Sequence, residues 1–203
     1  MMRDPIARLV SQYIHEWTQR RVSDDINQAI YDFKPLLAYS RYSMQLAPFL
    51  TAFGAENVLP IFLEKVKQNP QVELEKVARF IGYSQPVTWN DQVARENSSA
   101  ARTRKSAWRD RIVETPGLRE LRQRLVPKSV RNWVRGFWQM KHRPELTPAS
   151  RAYLESVLNE DLAILGSWLG MSLTCENFKT AVLASPDTWI DPMEVPAPPS
   201  LTL

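Results

Sequence analysis

Arg3 and Ser11 stand at the two ends of the run Arg3-Asp4-Pro5-Ile6-Ala7-Arg8-Leu9-Val10-Ser11, with seven residues between them. A guanidinium can hold a phosphate through paired, charge-assisted hydrogen bonds, and a serine hydroxyl on the adjacent helix face can donate one more. The Asp-Pro step between them opens a helix, with Asp4 as cap and Pro5 at the first helical position. Ile6, Leu9, Val10, Tyr13, Ile14 and Trp17 then follow the 3–4 period. The spacing predicts a helix over 5–20 with Asp4, Arg8, Ser11 and His15 on its polar side. Taken alone, Ser11 also reads as a surface serine and Arg3 as a flexible terminal charge.

The elements that must position these residues follow along the chain. Ser23-Asp24-Asp25 caps a short helix towards Phe33, and Pro35 opens one that runs to Gly54. The apolar run at 58–63 is of strand length and reads as a strand buried on both faces, although Pro60 is better suited to an edge. Pro70 opens a helix with Val72, Leu74, Val77, Phe80 and Ile81 inward and Gly82 as its stop. Residues 83–107 are polar and turn-rich. Basic helices are expected around 108–114, 117–125 and 127–140, the last with Val130, Trp133, Val134, Phe137 and Trp138 as an apolar stripe. Thr147-Pro148 opens a long helix whose Leu154, Val157, Leu158, Leu162, Leu165 and Trp168 read as core. One domain is expected over 1–175. A proline-containing tail over 176–203 is expected to be partly disordered, its last stretch, from about Ser185, holding five prolines.

Composition narrows the function classes. No apolar run approaches the roughly 18 residues of a membrane span, and charges interrupt any early signal-like stretch. Cys175 is the single cysteine, which excludes disulfides within the chain and cysteine-based metal sites; no metal is expected. The expectation is a soluble, cytoplasmic protein. The net charge of +4 is unevenly spread: residues 95–143 hold 14 Lys/Arg against 4 Asp/Glu, whereas the remainder is net acidic. Such a block suits an anionic ligand, a nucleotide phosphate, a sulfated glycan, nucleic acid or an acidic lipid surface; it also reads as a solvated arginine-rich face.

Several segments taken together carry a family resemblance. Arg3 through Ser11 comes first, and Arg41-Tyr42-Ser43-Met44-Gln45-Leu46 lies before Phe53-Gly54 and the apolar run. Leu63-Glu64, Asn69-Pro70 and Val77-Ala78-Arg79-Phe80-Ile81-Gly82 follow, then Arg143-Pro144-Glu145-Leu146, Asp161-Leu162 and Leu165-Gly166. In order and spacing this succession, over about residues 3–175, resembles the sulfotransferases that use 3′-phosphoadenosine 5′-phosphosulfate. The resemblance implies an α/β, P-loop-like fold, with Arg3 and Ser11 on the 3′-phosphate of the donor. It also places Arg104 and Lys105 in a second nucleotide-clamping loop, where Ser106 stands at a position in which glycine is common. The acceptor it implies is a hydroxyl or amine of a carbohydrate or small metabolite.

The family's strand–Gly–Lys–Ser/Thr–helix cradle for the 5′-phosphosulfate has no counterpart here, since none of the six glycines sits in that context. The expectation is therefore a truncated, C-terminal portion of such an enzyme, predominantly helical with one or few strands and inactive alone. No catalytic residue is assigned. Glu64 is expected to pair with backbone amides or an arginine where the strand ends, and His15 and His142 to be surface histidines. The alternative reading is a non-catalytic basic helical protein that binds polyanions. It has no aromatic–basic interleaving, helix-turn-helix or zinc pattern to support it.

Overall fold

The computed structural model describes residues 1–91, 143–186 and 188–190. These fall into two units. The first comprises Met1–Leu9 with the described parts of Lys34–Ala94 and Thr147–Leu203; the second comprises Val10–Phe33 with residues 143–146. Helix α1, Pro5–Thr18, begins in the first unit and ends in the second.

α1 forms as its sequence dictates. The Asp4 carboxylate accepts the Ala7 N–H at 2.7 Å, and Pro5, with no N–H to satisfy, takes the first helical position. Ile6, Leu9, Val10, Tyr13, Ile14 and Trp17 are all buried, which is the stripe the period predicts. In the second unit, Tyr13 donates its hydroxyl to the Ser23 carbonyl at 3.0 Å and the Trp17 indole N–H reaches Asp24 at 2.8 Å. Asp25 caps α2, Ile26–Asp32, by accepting the Asn27 N–H.

The first unit holds α3 (Pro35–Ala38), α4 (Tyr42–Phe53), a short 3-10 turn (Ala55–Asn57), α5 (Leu63–Gln68), α6 (Pro70–Phe80), α7 (Pro148–Leu169) and α8 (Phe178–Ala184). α7 is its axis. Thr147 caps it, and Leu154, Leu158, Leu162 and Leu165 are wholly buried along one side. Gly170 closes it in the left-handed region, φ 65°, where a side chain would be strained. Gly166 is needed one turn earlier, because the chain folds back and a Cβ there would collide with the Met171 carbonyl. No described helix is long and apolar enough to cross a membrane.

The structure corrects three expectations. The apolar run at 58–63 does not form a strand. Only an isolated parallel bridge joins Met2 to Phe62, with Met2 N–H on the Ile61 carbonyl at 2.7 Å and Leu63 N–H on the Met2 carbonyl at 2.8 Å. Pro60 has no N–H to offer a ladder, and Leu63 already starts α5. No strand occurs among the described residues, so the α/β class is not expressed there.

The expected helix from Pro35 to Gly54 is two helices. The chain leaves helical geometry at Arg41 (φ −87°, ψ 93°), and the freed amides at the start of α4 are taken by Asp161. α6 is rotated from its expected face: Val72, Phe80 and Ile81 are exposed while Glu73 and Ala78 are buried. Within the segment expected as a tail, α8 buries Phe178 and Val182. The Trp189 indole donates to the Val58 carbonyl at 2.6 Å.

Candidate functional site

The start of α1 is built around Arg3. Its backbone is clamped on both sides by one hydroxyl: Tyr42 accepts the Arg3 N–H at 3.1 Å and donates to the Arg3 carbonyl at 2.7 Å. Tyr42 itself is 4% exposed at the first turn of α4, and burial pushes its phenol up to about 12. The residue before Arg3 is fixed by the Met2–Phe62 bridge. The residue after it is fixed by Glu64, whose carboxylate accepts the Asp4 N–H at 2.9 Å. Glu64 thus does what its position predicts, tying down a backbone amide at the end of the apolar run.

The Arg3 side chain is held lightly. Its guanidinium donates to the Arg8 carbonyl at 3.4 Å, and it belongs to no ion pair among the described residues. Burial pulls its pKa below the ordinary arginine value. Tyr42, Glu64 and Asp4 act against that shift, and Arg8 acts with it. A half-buried cation without a contacting carboxylate is a place where an anion gains free energy, since its desolvation is already partly incurred.

Arg8 meets Arg3 through its backbone carbonyl. Its Nε donates to the Tyr39 carbonyl at 2.7 Å, and its guanidinium carbon sits 5.7 Å from the centre of the Tyr42 ring, a cation–π arrangement. By sequence, Arg8 falls on the polar side of α1 with no role assigned. No local signal could have found it, because Tyr39 and Tyr42 are 31 and 34 positions away.

A second network fixes the turn that carries Tyr42. Asp161 on α7, 1% exposed, accepts the Ser43 N–H at 3.0 Å, the Ser43 hydroxyl at 2.5 Å and the Met44 N–H at 3.1 Å. Arg41 approaches the same carboxylate at 3.9 Å. This is an N-cap supplied from another helix, and it sets where α4 begins.

The family model described as "Sulfotransferase domain" matches residues 1–166. The chain belongs to the sulfotransferase domain family. Family membership implies sulfonate transfer in general, with a donor and an acceptor substrate. No match was found among curated proteins or among solved structures.

Within this sulfotransferase domain, the match runs from the start of the chain to Gly166 and so includes the Arg3, Tyr42, Glu64 and Asp161 network. Ser11 is half-buried on α1 in the second unit. Arg104 and Lys105 lie outside the described residues, as do the expected basic helices and His142. His15 is half-buried on α1. A separate open pocket of about 360 Å³ is lined by Glu75, Ala78, Arg79, Tyr83, Gln85 and their neighbours, and includes neither Arg3 nor Ser11.

Proposed function

We propose that this chain is the 3′-phosphate-binding, C-terminal portion of a P-loop-like sulfotransferase. Its donor is 3′-phosphoadenosine 5′-phosphosulfate and its acceptor a hydroxyl or amine of a carbohydrate or small metabolite. Arg3 is assigned to the 3′-phosphate, and the resemblance assigns Ser11 a phosphate-binding role of its own further along α1. Arg104 and Lys105 add positive charge to the nucleotide. When bound, the donor supplies the sulfonate; the residues named here bind and orient its nucleotide.

The observation that carries this reading is the state of Arg3. Its backbone is fixed by Tyr42, by the Met2–Phe62 bridge and, through Asp4, by Glu64, while its half-buried guanidinium is left without an ion pair among the described residues. Such an arrangement fixes where the side chain starts and leaves its charge available to a dianion. Family membership supports the same reading, and the Met2–Phe62 bridge fixes the residue ahead of Arg3.

Calorimetry with adenosine 3′,5′-bisphosphate and adenosine 5′-phosphate tests it. The bisphosphate should bind more tightly. Arg3→Ala should cost about 1.5–3 kcal/mol of that binding, roughly a 10- to 150-fold loss. Equal affinity for the two nucleotides, or an Arg3→Ala variant that binds the bisphosphate normally, defeats the assignment.

A further inference from the structure

Two cations belong to the chain around the start of α1, where the Arg3 guanidinium reaches the Arg8 backbone carbonyl at 3.4 Å. Arg3 and Arg8 are both anchored on Tyr42, one through its backbone on the hydroxyl and the other through its guanidinium over the ring. Arg8 spends only its Nε on the protein, against the Tyr39 carbonyl, and neither of its Nη atoms has a hydrogen-bond partner among the described residues. Neither arginine is in an ion pair there.

Placing two like charges together costs free energy unless something of opposite charge joins them. Their mutual influence is visible in the direction in which Arg8 moves Arg3. Supports made of a carbonyl and an aromatic face orient a guanidinium without neutralising it, so both charges are kept for a ligand.

We propose that Arg8 is a second phosphate-binding residue, which with Arg3 forms a two-guanidinium seat for a dianionic phosphate monoester on the nucleotide. The inference rests on the 3′-phosphate reading given above and adds to it a residue that sets specificity. One arginine suffices for a singly charged group. Two, one carried on a backbone that Tyr42 holds and the other lying over its ring, favour the full dianion over a hydroxyl at the same position. Arg8 therefore raises the discrimination between a 3′-phosphorylated nucleotide and an ordinary adenine nucleotide.

The test uses the 203-residue chain with adenosine 3′,5′-bisphosphate and adenosine 5′-phosphate as probes. Arg8→Met keeps an aliphatic stem to lie on Tyr42 and removes the charge. It should lower bisphosphate affinity about tenfold or more and leave the 5′-phosphate nearly unchanged, which shrinks the ratio between them. A structural role alone would weaken both probes together.

Should Arg8→Met fail to fold, protection of the wild-type chain from an arginine-selective dicarbonyl reagent, read by peptide mass spectrometry, gives the answer instead. The bisphosphate should shield Arg3 and Arg8, and the 5′-phosphate neither. Loss of bisphosphate preference in the wild type would remove the 3′-phosphate reading and this inference together. An intact preference with Arg8→Met at the wild-type ratio, or with Arg3 shielded and Arg8 labelled, overturns the inference alone.

Discussion

At the scale of single residues, Tyr42 does more than any other described side chain to prepare the site. It satisfies both backbone groups of Arg3 and carries Arg8 on its ring, so one phenol meets the backbone of one arginine and the side chain of another. Its burial also makes a testable pH dependence. The buried phenol titrates at about 12, against an ordinary value of 10.0. Between those values the unfolded state has released the proton and the folded state has not, so stability falls as pH rises from about 10 to 12. Below 10 the contribution is fully present. The loss amounts to about 2–3 kcal/mol across the window. Urea titrations between pH 8 and 11.5 should show this slope reduced in Tyr42→Phe. Burial moves the Cys175 thiol in the same direction, so the difference between wild type and variant is the readout rather than the whole slope. Parallel slopes would mean that the phenol is not protected. At neutral pH the variant should itself cost about 1–3 kcal/mol, because the Arg3 N–H and carbonyl each lose a partner.

At the scale of elements, the fold is legible where a helix is specified by its own sequence and illegible where another element decides. α1 and α7 announce themselves through Asp4-Pro5 and Thr147-Pro148, the period of their apolar residues, and Gly170 at the far end. The break between α3 and α4 has no such signal. Residues 35–54 read as one helix until Asp161, 118 positions after Ser43, captures the amides that a continuous helix would have used. Likewise 58–63 has the composition of a buried strand, but one bridge to Met2 is all the pairing it finds among the described residues. The site follows the same division. The hold of Glu64 on a backbone amide was legible from its place after the apolar run, whereas the contacts of Arg8 with Tyr39 and Tyr42 come from across the fold. Asp161→Ala tests the strongest of these long-range contacts. It strips three hydrogen bonds from Ser43 and Met44 and leaves Arg41 without its carboxylate. Chemical denaturation should register a loss of about 3 kcal/mol or more. A loss below about 1 kcal/mol would mean that the start of α4 is stabilised some other way.

At the scale of the whole molecule, binding and catalysis separate. The proposed Arg3 and Arg8 seat would account for the binding of one phosphate of a nucleotide donor. Sulfonate transfer asks for two further things: amides or a cation to stabilise charge on the leaving 5′-phosphate, and a base to take the proton of the acceptor. None of Gly54, Gly82, Gly117, Gly136, Gly166 and Gly170 is followed by the Lys-Ser/Thr step of a phosphate cradle. The carboxylate nearest Arg3 in role, Glu64, has one oxygen committed to the Asp4 N–H at 2.9 Å, where it holds backbone rather than meets an acceptor. These 203 residues by themselves are therefore expected to bind 3′-phosphorylated nucleotide and to transfer no sulfonate. A radiolabelled-sulfonate assay over a broad panel of hydroxyl and amine acceptors, run beside calorimetry on the same preparation, separates the two properties. Binding without turnover is the expected outcome. Robust turnover by the pure chain would require a base among these residues, and loss of that turnover in Glu64→Gln or His15→Ala would identify it.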